Sequence, residues 1–143
     1  MADQNRSPQP ASQTTFYTIL VVEDDRDLNN AYDVILTNEG HHVATAFDGK
    51  QALNKAKAFK ADLILLDLLM PVMGGLDATR AVRKEFQLRQ PIIVALTGDM
   101  VSGVKENCRE CGMDDFLSKP VSLDDLKGVI IRNLTGTATT KVL

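Results

Sequence analysis

Four short apolar runs in this chain each end on a group that can do chemistry. Leu20-Val21-Val22 is followed by Glu23, Asp24 and Asp25, and Leu63–Leu66 by Asp67. Val94-Ala95-Leu96 is followed by Thr97 and Gly98, and Phe116-Leu117-Ser118 by Lys119 and Pro120. If the runs are neighbouring strands, their ends bring carboxylates, a hydroxyl and an ammonium to one edge. Carboxylates held together repel, and at least one pKa rises. A hard divalent cation such as Mg²⁺ relieves this: it takes oxygen ligands, commonly one or two carboxylates, and keeps waters and a substrate phosphate. Lys119 adds a second positive charge and Thr97 a hydroxyl donor. That set suits phosphoryl transfer onto an aspartate, where positioning and neutralisation of the phosphoryl oxygens do most of the catalysis. Asp67 ends the most apolar run and is the candidate nucleophile; an aspartyl phosphate is a known kind of covalent intermediate. Gly98 leaves space for the phosphoryl group or an attacking water. Singly, a carboxylate after a strand can equally be a helix N-cap, and Asp24, Asp25 and Asp48 all qualify. Jointly, carboxylates, Thr and Lys at four strand ends favour a site.

The elements that must position these groups alternate along the chain. Strands are expected at Thr18–Val22, His42–Thr45, Leu63–Leu66, Ile92–Leu96 and Phe116–Leu117. The first, third and fourth are apolar at consecutive positions, as in parallel strands covered on both faces. The second and fifth are weaker, as edge strands are. Between them lie helical patterns. Leu28, Ala31, Tyr32, Ile35 and Leu36 share one face, and Gly40 is the stop. Asp48 caps a second helix with Ala52, Leu53 and Ala56 inward. Leu76, Thr79, Val82 and Phe86 mark a third, and Met100–Cys111, closed by Gly112, a fourth. Ser122 and Asp125 form a capping box for the fifth, with Val121 able to staple to Leu126. The expected fold class is therefore α/β: a five-stranded parallel sheet with helices on both faces and right-handed crossovers. Ligands of such sheets bind beyond the carboxyl ends of the strands, where the chemical groups lie.

Composition narrows the partners. The chain has 143 residues and a formal charge of −3, with 44% apolar and 24% charged residues. That is ordinary for one globular domain large enough to bury a core without metal or disulfide staples. No apolar run approaches the ~20 residues of a membrane helix. The first residues lack a signal peptide's basic start and apolar stretch, and two cysteines make no disulfide framework, so a cytoplasmic protein is expected. With no Lys/Arg cluster to neutralise phosphates, neither nucleic acid nor membrane insertion is expected. Residues 1–15 read as a disordered N-terminal tail and 135–143 as a flexible C-terminal tail. The folded domain is then expected at 16–134, without an effector domain, and its output is expected to be an interaction with another molecule.

The stretches Ile19–Asp25, Leu63–Leu76, Ile93–Thr97 and Gly112–Pro120 together resemble the receiver domain of response regulators, of the stand-alone, single-domain type in two-component signalling. The resemblance covers about Thr18 to Leu134. It implies a flavodoxin-like (βα)5 fold with strand order 2-1-3-4-5. It implies Asp67 as phospho-acceptor, and Glu23 and Asp24 as the acidic pair that, with Asp67, holds Mg²⁺ or Mn²⁺, Asp24 ligating directly. Leu69 would offer the metal only its backbone carbonyl. Thr97 corresponds to the switch hydroxyl, Lys119 to the lysine that pairs with the phosphoryl group, and Phe116 to the switching aromatic. The Lys119–Pro120 bond is expected to be cis. The implied partners are a histidine kinase or histidine phosphotransfer protein as donor and a downstream effector protein. The chain would promote its own phosphorylation and dephosphorylation without being a turnover enzyme. Two positions depart from the pattern: Gly74 stands where Asp or Asn is common, and Phe116 lacks the commoner tyrosine's hydroxyl. Asp99, two residues after Thr97, is expected at the pocket mouth.

Other readings fit less well. A phosphatase of the haloacid-dehalogenase type carries a second Asp two residues after its nucleophile, where this chain has Leu69. A flavodoxin-like FMN binder needs a first loop that cradles phosphate, and Glu23–Asp27 would repel it. A receiver fold used only for docking would not need the complete pocket. Cys108 and Cys111 fall at a helix C-terminus, where the dipole raises a thiol pKa, so redox chemistry is not expected. His41 and His42 are expected at a surface turn, and Met70 and Met73 in packing.

Overall fold

A computed structural model describes residues 15–70, 73–85, 90–98 and 103–134. The expectations for Pro71, Val72, Phe86, Asp99, Met100 and the two tails lie outside these residues. Strands β1 (Thr18–Val22), β2 (His42–Ala46), β3 (Leu63–Asp67), β4 (Ile92–Thr97) and β5 (Asp115–Ser118) alternate with helices α1 (Arg26–Asn38), α2 (Gly49–Phe59), α3 (Gly75–Glu85), α4 (Val104–Cys111) and α5 (Leu123–Leu134). The strands form one parallel sheet in the order β2-β1-β3-β4-β5. The weakly apolar runs are indeed the edges, because only strands with two neighbours are covered on both faces.

Side chains alternate across each strand. Leu20, Val22, Ile64, Leu66, Ile93 and Ala95 therefore face α2, α3 and α4, meeting Ala52, Ala56, Ala78, Val82 and Cys108. Ile19, Val21, Leu63, Leu65, Val94 and Leu96 face α1 and α5, meeting Tyr32, Leu36, Leu126, Val129 and Ile130. Each fully buried aliphatic side chain contributes about 2 kcal/mol.

The caps explain the helix ends. The Asp25 carboxylate accepts from the Asp27 and Leu28 amides, and that of Asp48 from Gln51, so these two acids are N-caps. Gly40 takes the left-handed conformation after α1 (φ +100°), with the Phe16 ring filling the place of its missing side chain. The Ser122 hydroxyl accepts from the Asp125 amide at 3.1 Å, and the Asp125 carboxylate from the Ser122 amide at 3.0 Å. Val121 packs on the same cluster as Leu126.

One helix is rotated from its expected phase. The buried positions of α1 are Asn29, Tyr32 and Leu36, whereas Leu28 and Ala31 are exposed. The spacing 29, 32, 36 is as good a stripe as the apolar one, and contact with the ends of β1 and β2 selects it. His41 also differs from a plain surface turn. Its Nδ1 accepts from the Tyr17 amide at 3.1 Å and its ring stacks on Tyr17, so it secures the lead into β1; burial pulls its pKa down. Cys108 and Cys111 are buried, and burial beside Cys111 pushes the Cys108 thiol up, away from a reactive thiolate. Met70 and Met73 pack against the core. The lysines of α2 include Lys55, whose ammonium meets the Thr45 carbonyl of edge strand β2 at 2.6 Å, and Lys57, paired with Glu85 at 3.4 Å. A lysine at a sheet edge discourages pairing with other chains.

Away from the reactive edge, Asp115 ties β5 to α5. It accepts from Arg132 at 2.7 Å, Asn133 at 2.8 Å and the Phe116 amide at 2.9 Å. Burial alone would push its pKa up; the bonds to Arg132, Asn133 and Phe116 outweigh burial and hold it below the usual carboxylate range. A depressed carboxyl contributes stability above its unfolded pKa, about 4, and loses it as pH falls through the folded value. Asp115→Asn should therefore cost about 2 kcal/mol at neutral pH. The gap to wild type should close in acid, as read by urea unfolding at several pH values.

Candidate functional site

Register places the reactive groups. Val22 is level with Leu66, so Glu23 comes level with Asp67 across the β1–β3 pair. Asp67 is level with Leu96, which puts Thr97 one residue beyond it on β4. Thr97 is level with Ser118, so Lys119 follows at the same edge, and the Lys119 amide donates to the Thr97 carbonyl at 2.8 Å. The fifth strand thus carries its lysine over the carboxylates of the first and third.

The contacts are those of a charged, half-enclosed site. Glu23 is 1% exposed and Asp67 5%. The Lys119 ammonium lies 2.8 Å from Glu23 Oε1 and 3.3 Å from Asp67 Oδ1. Glu23 Oε2 accepts from the Asp25 amide at 3.1 Å, and Asp67 Oδ1 from the Leu69 amide at 3.3 Å. Burial, reinforced by the Asp67 charge, pushes the Glu23 carboxyl up, against the opposing bonds from Lys119 and the Asp25 amide. Burial alone would lower the Lys119 pKa, but its bond to Glu23 and the charge of Asp67 raise it, so the ammonium stays charged. Buried charges are tolerable only when paired in this way.

Glu23, Asp24 and Asp67 each offer a carboxylate oxygen, all within 4.8 Å of one another. Glu23 and Asp67 are buried, while Asp24 is exposed at the mouth. Three carboxylates against one ammonium leave a net negative, all-oxygen donor set, which fits a hard divalent cation. Leu69 is 79% exposed, with its backbone beside the Asp67 carboxylate.

Two glycines shape the mouth. A Cβ on Gly98 would meet no atom of the described residues within 4 Å, so space is open beside Thr97. A Cβ on Gly75 would stand 2.6 Å from the Asp67 carbonyl oxygen and 2.8 Å from the Leu68 Cα. Backbone cannot yield there without moving Asp67. Gly75→Ala should cost about 1–3 kcal/mol in urea unfolding.

Of the candidates among the described residues, Glu23, Asp24, Asp67, Leu69, Thr97 and Lys119 come to this edge and Phe116 does not. Its half-buried ring packs against the α2–α4 side of the core, with Lys105 Nζ 4.7 Å and Arg109 Cζ 5.9 Å from its centroid. The Lys119–Pro120 bond is cis. Two contributors were not legible: the Asp25 amide, which holds Glu23, and Asn29. For Asn29 the available signal was a polar residue in phase with Tyr32 and Leu36.

The sequence model of the response regulator receiver domain matches residues 19–131. This chain belongs to the response regulator receiver family. Response regulator ArlR of Staphylococcus aureus (strain Mu50) is 37% identical over 112 residues, covering 76% of this chain and 48% of that relative. The receiver domain described here thus spans about half the length of the curated relatives it matches. Among solved structures, chemotaxis protein CheY4 of Vibrio cholerae superposes with a TM-score of 0.79 at 31% identity, over 84% of this chain and 100% of that one. The receiver domain of sensor histidine kinase PA1611 from Pseudomonas aeruginosa superposes at 0.75 with 35% identity, over 82% and 97% of the two chains. That structure has a magnesium ion coordinated in its active site cleft. The receiver domain therefore has the flavodoxin-like fold and the strand order its sequence implied. Among its described residues no helix is long and apolar enough to cross a membrane.

Proposed function

We propose that this receiver accepts a phosphoryl group on Asp67 from a phosphohistidine of a partner histidine kinase or phosphotransfer protein, and that the phosphorylated form engages a downstream effector. The carrying observation is a buried Asp67 carboxylate with Lys119 at 3.3 Å and two further carboxylates within 4.8 Å. An Asp67 oxygen forms the new bond to phosphorus while the phosphorus–nitrogen bond of the donor breaks, and the leaving imidazole keeps the electron pair and takes up a proton. Glu23, Asp24, Asp67 and the Leu69 carbonyl would hold a divalent cation, Mg²⁺ or Mn²⁺. When bound, the cation neutralises charge on the transferring oxygens. Lys119 places its ammonium where the phosphoryl oxygens arrive, and Thr97 offers its hydroxyl from the next strand. The domain promotes its own phosphorylation and hydrolysis without turning over a separate substrate.

The donor has a surface to use. An apolar groove of about 350 Å³, lined by Leu28, Ala31, Tyr32, Ile35, Pro120 and Val121, borders Lys119. The exposure of Leu28 and Ala31, unexpected from the sequence, makes this groove. Phosphorylation adds about two negative charges. Movement of Thr97 and Lys119 toward them frees space that Phe116 can enter, altering the face built from α4, β5 and α5. The phosphoryl group acts by its better contacts in one of two states. With such partners, the reaction we propose is cytoplasmic.

Incubation with acetyl phosphate and Mg²⁺ tests the reading: the intact mass should rise by one phosphoryl group. No adduct on the wild type would sink it.

A further inference from the structure

We infer that Asn29 is a positioning residue for the acidic pair, holding the Glu23–Asp24 peptide where both carboxylates can share a cation. This rests on the reading of that cluster as a cation site. Asn29 is 2% exposed, on the inward stripe of α1 with Tyr32 and Leu36. A buried amide is costly unless its polar atoms are satisfied. Its side-chain NH₂ carries two donors. One goes to the Glu23 carbonyl at 3.0 Å and the other to the Ala46 carbonyl at 2.9 Å.

These two carbonyls lie where the β1–β2 ladder runs out, since Val22 and Ala46 are its last level pair. The Glu23 amide also donates to Ala46, at 3.1 Å. Asn29 itself is anchored through its own amide to the Asp25 carbonyl at 2.9 Å, in the helix that Asp25 caps. One side chain therefore joins the end of β1, the end of β2 and the start of α1. The joined point is the peptide from which the Glu23 and Asp24 side chains leave. Rotation of that peptide would carry Asp24, the exposed member of the cluster, away from Asp67. Metal ligands tolerate displacements of only about 0.2 Å. Outer groups that orient metal ligands typically cost tenfold or more in affinity when removed.

Asn133 gives an internal control. It too is a buried amide with two bonds, to Asp115 at 2.8 Å and the Val129 carbonyl at 2.8 Å, but at the start of β5, the far end from the carboxylates. Mg²⁺ alone is titrated into the wild type, Asn29→Ala, Asn29→Ser and Asn133→Ala. Amide chemical shifts around Asp67 report affinity, and urea unfolding reports stability. Asn29→Ala should bind Mg²⁺ about tenfold more weakly. Asn29→Ser, which keeps one donor, should fall between it and the wild type. Asn133→Ala should lose stability with Mg²⁺ affinity unchanged. If Asn29→Ala does not fold, the Asn29→Ser comparison decides. Wild-type affinity in a folded Asn29 variant, whatever its stability, overturns the positioning role and leaves the cation reading intact. A wild type that Mg²⁺ does not perturb overturns the cation reading, and this inference with it.

Discussion

Asp67→Asn should fold and gain no phosphoryl mass from acetyl phosphate and Mg²⁺, under conditions that modify the wild type. The amide has the size of the carboxylate but no charge, and its nitrogen lone pair is delocalised, so no competent nucleophile remains at the end of β3. The neighbours do not replace it. Glu23 is fully buried with both carboxylate oxygens engaged, one by Lys119 and one by the Asp25 amide. Asp24 sits exposed at the mouth, where it would be engaged by the cation. Folding should survive because the substitution removes one of two like charges in a confined site, and the Asp67 charge is among the causes that push the Glu23 carboxyl up. Intact mass reads the adduct, and peptide mapping reads its position. Undiminished modification of Asp67→Asn would place the chemistry elsewhere.

Removal of the ammonium has the largest expected effect on stability. Lys119→Met keeps the stem and leaves Glu23 and Asp67 as buried carboxylates without a cation. Breaking a buried pair costs about 3–5 kcal/mol, and the low end applies because Lys119 keeps a fifth of its side chain in water. The pH dependence has a definite sign. The Glu23 pKa is already raised, and without the Lys119 bond it rises further. A raised carboxyl penalises the fold above its folded pKa, and the penalty is relieved as pH falls through that value. The deficit of Lys119→Met should thus shrink as pH falls from neutral toward the ordinary carboxylate range. In the wild type, the raised Lys119 pKa means its contribution is present below the ordinary lysine value, about 10.4, and lost as pH rises through the folded one. Mg²⁺ should stabilise Lys119→Met more than the wild type, since binding to the folded state alone adds stability and the cation meets less competing charge. Urea unfolding at acid, neutral and alkaline pH, with and without MgCl₂, checks all three statements. A deficit indifferent to both pH and Mg²⁺ would show that the lysine acts through packing alone.

Much of this site was legible because strand ends are. A run such as Leu63–Leu66 must stop where a charged side chain follows, since both faces of a central strand are covered. The first polar residue after the run therefore marks the sheet edge, which is why Asp67, Thr97 and Glu23 could be named from the sequence. The capping box at Ser122 was equally visible, as its two bonds lie within one turn. The phase of α1 was not. Leu28 and Asn29 are adjacent, and either could start an inward stripe through Tyr32 and Leu36. Only the carbonyls at the ends of β1 and β2, which need a donor, select Asn29 and leave Leu28 and Ala31 to line the groove beside Lys119.

The sequence by itself determined the fold class and the family, because periodicity and the residue after each apolar run are local properties. The tertiary structure decided which charges meet. Lys119 bonds to Glu23 across 96 residues of chain, and Asn29 clamps two strand ends, reaching back 6 residues to Glu23 and forward 17 to Ala46. Such distances follow from register and helix phase, which are settled only when every face of the sheet is packed at once.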